Sequence, residues 1–150
     1  MEKPRVLKRD AMTSASYSSA PAGGSVDTMT EACVSELMNA GTSFHKLHLK
    51  VTGIGSYAAH KALNELYDAM PDHADDLAEG FQGAAEVLLN YKDVAPKTLN
   101  TVQEAILYIR EIYDMVTGLQ AKLPYSELVN DLDAVKSTLN SIKYKLLFLK

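Results

Sequence analysis

At 150 residues, with 47% hydrophobic and 23% charged side chains, the chain is long enough for one domain with a real core. A net charge of −4 argues against nucleic acid as a partner of the whole surface, and no apolar run is long enough to span a membrane. The single cysteine, Cys33, excludes an intrachain disulfide framework; with a charged start and no apolar leader, this fits a cytoplasmic protein.

Residues 1–25 differ from the rest. A charged opening carries Lys3, Arg5, Lys8 and Arg9 against Glu2 and Asp10, and a stretch rich in Ser, Ala and Gly follows. Such a segment cannot bury enough surface to offset its ordering entropy, so it reads as a flexible basic arm. From residue 26 onward the pattern is helical. Thr28 and Glu31 have capping-box spacing. Val34, Leu37, Met38, Gly41, Phe44 and His48 then recur at three and four residues, one face of a first helix that Gly53 and Gly55 terminate.

A second helix opens near Ser56, with a stripe running from Ala59 through Leu63, Leu66, Met70, Ala74, Leu77 and Phe81 to Leu88. Pro71 interrupts it, but the pattern resumes in phase, which favours one kinked or locally tightened helix over two. Residues 90–97, with Pro96, read as a linker. Thr101 and Glu104 form another capping box, opening a third helix whose stripe includes Ile106, Ile109, Ile112 and Val116. After Pro124, Leu128, Leu132, Val135, Leu139, Ile142, Leu146 and Leu149 alternate steps of four and three, a bundle seam. The fold class expected is all-α, an antiparallel four-helix bundle with an N-terminal arm.

The chemistry sits on the first two helices. His48 lies on the apolar face near the end of the first and His60 in the first turns of the second, so a hairpin at Gly53 and Gly55 lets the imidazoles approach each other. Asp75 and Glu79 share one face of the second helix at i, i+4. Imidazole plus carboxylate suits iron, with manganese or zinc as competing ions. A helix rises about 1.5 Å per residue, so His60 and Asp75 stand roughly 20 Å apart. One chain cannot bring all four groups to one ion, whereas a two-fold partner packed antiparallel can. Taken one at a time, a helical histidine is more often a packing residue and an Asp/Glu pair more often a solvated one. By that standard His45 is a partly exposed helix residue rather than a supporting or entry ligand for the metal, His73 a surface or interface residue, and Cys33 a core thiol.

The segment LHLKVTGIGSYAAHKALNELYDAMPDHADDLAE resembles the signature of the Dps-type mini-ferritins, a branch of the ferritin-like fold. The match lies in a histidine ending the first helix (His48), a second twelve residues on (His60), and a D-H-x-D-x-x-A-E phrase, here residues 72–79. The resemblance implies a ferroxidase site shared across a two-fold, with His48 and His60 from one chain and Asp75 and Glu79 from the other. It further implies a hollow dodecamer that oxidises Fe(II), often with peroxide, and stores Fe(III). Non-specific DNA binding through Lys3, Arg5, Lys8 and Arg9 is a property that some family members have through such an arm.

Two positions depart from the family pattern. The aspartate usual four residues after the second histidine is Asn64, an amide that can ligate but carries no charge; Glu65 lies about 100° further round the helix. The tryptophan often found after the first histidine is Leu49, with Tyr57 or Tyr67 as substitutes for a radical trap. A ferritin-like structural or DNA-compacting assembly with weak or no ferroxidase activity is therefore the alternative. A helical interaction module unrelated to iron is the third reading.

Overall fold

A computed structural model describes residues 25–150. Lys3, Arg5, Lys8 and Arg9, the basic residues of the expected arm, lie outside the described residues. Four helices follow: α1 (Val26–His48), α2 (Ser56–Ala85), α3 (Val102–Gln120) and α4 (Ser126–Phe148), with no strand among the described residues.

Local chemistry sets the helix ends. The Ser25 side chain accepts from the Thr28 amide at 3.4 Å, so the α1 cap lies three residues before the one that the sequence pattern indicates. Thr101 caps α3 as expected, its hydroxyl accepting from the Glu104 amide at 3.1 Å, while the Glu104 carboxylate reaches back to the Asn100 amide at 2.6 Å. Gly53 (φ 88°) and Gly55 (φ 81°) take the left-handed turn that directs the chain from α1 into α2. Pro71 sits inside an unbroken α2. That helix stops at Ala85, short of Leu88, which is exposed.

Helix α1 packs against α2 and α3, and α4 packs against the same two, so α2 and α3 face each other across a diagonal. The ladder of contacts fixes direction. Glu65, His73 and Phe81 of α2 meet Lys145, Thr138 and Tyr125 in reverse order, and the short turns that join α1 to α2 and α3 to α4 set the remaining directions. Every neighbouring pair is antiparallel, and the diagonal pair α2 and α3 start at the same end.

That topology requires the chain to travel the length of the bundle between α2 and α3. The linker is accordingly longer than the eight residues expected. It is an extended strap held along α1 by a row of polar side chains. Glu31 accepts from the Asn90 amide (2.8 Å), Asn39 donates to the Val94 carbonyl (2.8 Å), Ser43 to that of Lys97 (2.6 Å) and Lys50 to that of Leu99 (2.6 Å). These bonds satisfy strap carbonyls and an amide that have no partner in a helix or sheet.

The core is one continuous cluster. Leu37, Phe44, Leu63, Leu66, Met70, Ile109, Ile112, Leu132 and Leu139 are all buried in it. The seam read from α4 is buried from Leu128 to Leu146, but Leu149 lies outside it, 44% exposed. No helix among the described residues is long and apolar enough to cross a membrane.

Candidate metal centre

The end of α1 and the start of α2 are fastened by two histidines. The Nδ1 of His48 lies 3.0 Å from the carbonyl oxygen of His60, and the Nδ1 of His60 lies 3.1 Å from the carbonyl oxygen of His48. The rings stack with centroids 3.7 Å apart and planes 23° from parallel. The second bond has a local cause. The last carbonyls of a helix lack amide donors, and the His48 carbonyl gains one from His60.

This reciprocity fixes the tautomers. A carbonyl oxygen only accepts, so each Nδ1 donates, and in the neutral ring the lone pair is left on Nε2. An Nδ1–H held by a backbone carbonyl is the arrangement that orients a metal-ligating imidazole. His48 is buried and His60 half-buried.

A second layer surrounds the pair. Tyr67 meets His48 edge-on at 5.0 Å, and its other neighbour, His45, stacks on it at 3.9 Å with planes 12° apart. The Tyr67 hydroxyl donates to the Asn64 amide oxygen at 2.9 Å, and the Asn64 amide nitrogen donates to the Asp68 carboxylate at 2.8 Å. The carboxylate can only accept, so the amide's orientation is set. Asn64 is thus held on both sides within its own chain. Asp68 escaped the sequence reading as a site residue, and Tyr67 entered it only as a substitute radical trap, although i+3 and i+4 from Asn64 is the spacing that puts side chains in contact on a helix.

The remaining candidates are placed as follows. Asp75 and Glu79 are exposed on α2, one turn apart, and at 1.5 Å per residue His60 and Asp75 are separated by roughly 20 Å along the axis. No group of three or more His, Cys, Asp or Glu side chains suited to holding a metal ion occurs among the described residues. Glu65 does not turn toward Asn64; it pairs with Lys145 of α4. Leu49 and Tyr57 are both exposed.

His45, expected to be a partly exposed helix residue, is exposed at its edge yet packed flat on Tyr67. His73 lies between α2 and α4, 3.0 Å from the Thr138 hydroxyl; burial lowers its pKa, and the carboxylates of Asp76 and Asp72 act against that. Cys33 is a core residue whose thiol is pushed up to about 12 by burial and then by the Glu36 carboxylate. The Tyr108 hydroxyl donates to Glu36, and burial followed by that bond holds its pKa well above the usual range.

Charge is unevenly spread along α2. Lys61, with Lys46 of α1 and Lys50 just after it, lies near the histidines. Beyond Lys61 the helix has no lysine or arginine and carries Glu65, Asp68, Asp72, Asp75, Asp76 and Glu79. Its second half therefore carries four carboxylates, Asp72, Asp75, Asp76 and Glu79, and no lysine or arginine.

Residues 48–146 match the model of DUF5856, a family of unknown function. The match starts at His48 itself and runs through α2, the strap and α3 into the last turn of α4. No curated protein and no solved structure matches the chain. With the matched segment covering well over half of its length, the chain belongs to the DUF5856 family.

Proposed function

We propose that this protein is an iron-oxidising and iron-storing mini-ferritin of the Dps type, working in the cytoplasm. Its sites lie between two-fold-related copies, with His48 and His60 from one chain and Asp75 and Glu79 from the other, inside a hollow oligomer, expected to be a dodecamer. Fe(II) is the substrate. Two ferrous ions each give one electron to a peroxide, which leaves as two hydroxides, and Fe(III) is stored. Manganese and zinc compete for the same donors.

The observation that carries this reading is the reciprocal pair of Nδ1–carbonyl bonds, which leaves two preorganised Nε2 lone pairs on adjacent rings. Two further features support it. A bundle with one long crossover and short hairpins is the connectivity of ferritin-like folds. The lysines near the histidine pair, Lys46, Lys50 and Lys61, and the acidic second half of α2 are complementary in an antiparallel two-fold pairing, which sets one against the other.

Asn64 favours the second reading, an assembly with little ferroxidase activity, because its amide is engaged by Tyr67 and Asp68 and contributes no charge. DNA binding through Lys3, Arg5, Lys8 and Arg9 is the corresponding proposal for the arm; multivalent display would make it tight and strongly salt-dependent. Particle mass, measured together with Fe(II) oxidation by oxygen and by peroxide, separates these readings. An oligomer that oxidises iron and stops doing so as H48A/H60A supports the first. An oligomer with no activity supports the second. A monomer that binds no metal contradicts both.

A further inference from the structure

Beside the histidine pair, α1 and α2 form an open hollow of about 330 Å³ at the surface, lined in part by Gly41, Thr42, His45, Tyr67, Asp68 and Pro71. Its floor follows from two residues. Proline has no amide hydrogen, so Pro71 cannot donate to the carbonyl one turn back, that of Tyr67. That oxygen faces α1, because a Cβ built on Gly41 would stand 3.6 Å from it, in ordinary contact. A backbone carbonyl that lacks the amide donor of residue 71 therefore lies at the α1–α2 contact, where Gly41 of the opposing helix presents no side chain.

Two side chains bring further donors. One oxygen of Asp68 accepts from Asn64 and the other has no partner among the described residues. His45 is held by stacking on Tyr67, and neither of its ring nitrogens takes part in a hydrogen bond among the described residues. The Thr42 hydroxyl completes the lining.

We propose that this hollow is a divalent-cation site separate from His48 and His60, with the Asp68 carboxylate, the His45 imidazole and the Tyr67 carbonyl as ligands and Asn64 as the residue that positions Asp68. Mostly oxygen donors with one imidazole suit a hard or borderline ion of the manganese or ferrous class. The His45 ring lies 5.9 Å from that of His48, so an ion released from the hollow has a short path to the histidine pair. That transfer role rests on the proposed iron chemistry; cation binding in the hollow does not.

The test uses the full chain and Mn(II) alone, with binding followed by loss of the free-ion EPR signal and folding checked by circular dichroism. Asp68→Asn and His45→Ala each lower the affinity of one Mn(II) class by about tenfold or more, at least the effect of losing an outer partner of a metal site. Pro71→Ala gives the Tyr67 carbonyl its amide donor back, so it weakens the same class while leaving the helix intact. The H48A/H60A variant keeps that class. Mn(II) binding unchanged in all three hollow variants, or absent from the wild type at millimolar ion, overturns the proposal. Parallel Fe(II) oxidation distinguishes the two failures, since loss of activity in H48A/H60A with unchanged Mn(II) binding in the hollow variants refutes only the hollow.

Discussion

The His48–His60 clasp has a measurable energetic signature. Each imidazole donates one hydrogen bond to the other residue's backbone, so His48→Ala and His60→Ala each remove one bond and leave one carbonyl without its side-chain donor. A net hydrogen bond is worth about 1 kcal/mol. The stacked rings, 3.7 Å apart, are removed by either substitution and add about 0.5–1.5 kcal/mol. Each single variant is therefore expected to lose about 1.5–2.5 kcal/mol, with His48→Ala at the upper end because its ring is buried. The two backbone bonds are independent and add, whereas the stack is counted in both singles and lost once in the double. The coupling energy of the cycle is thus the stacking contribution alone, about 0.5–1.5 kcal/mol. Urea unfolding of the four species in excess chelator measures it. Single variants that lose less than a few tenths of a kcal/mol, or a cycle with no coupling, refute the rigid clasp and with it the preorganised Nε2 pair.

Other expectations follow from the same contacts. Asn64→Asp places a second carboxylate against Asp68, which now lies 2.8 Å from the amide; the metal-free protein should lose about 1 kcal/mol by repulsion between these partly solvated groups. The same variant should show a larger rise in melting temperature on adding Mn(II) than the wild type; equal rises would contradict a site at this position. Cys33, buried with its thiol raised to about 12, should react with a disulfide reagent only as fast as the bundle opens, so labelling in the absence of urea at a free-thiol rate would contradict its core placement. His73 has a folded pKa below its unfolded value, so the unfolded chain takes up the proton first. Stability is then lost as pH falls from about 7 through the unfolded pKa toward the lower folded one, and His73→Gln should flatten that slope. An unchanged slope would place the pH dependence elsewhere.

The helices were legible because their signal is local. Apolar residues three and four apart, from Leu128 to Ile142 for instance, are buried wherever such a helix packs, and Thr101 with Glu104 caps α3 through side chains three residues apart. The strap was legible only as a linker, since its order comes from Glu31, Asn39, Ser43 and Lys50, about fifty or more residues away in sequence. The α1 cap was misread because Ser25 and Thr28 both precede acceptable first turns, and the choice between them depends on backbone angles. At the site, the approach of His48 to His60 followed from the Gly53/Gly55 hairpin. Their reciprocal hydrogen bonds did not, because they depend on ring rotamers. Nor did the Tyr67–Asn64–Asp68 chain, which the sequence offers only as polar neighbours on a helix face.

The central claim is that His48 and His60 act with Asp75 and Glu79 of another copy. Two inactive variants, H48A/H60A and D75A/E79A, can be unfolded together, refolded as a mixture and assayed for Fe(II) oxidation. In a mixed two-fold dimer one of the two sites loses both halves and the other keeps both, and random pairing makes half of the dimers mixed. The account predicts recovery of about a quarter of wild-type activity in the mixture, with none in either parent. A mixture that forms mixed oligomers by mass spectrometry yet stays as inactive as its parents would contradict it.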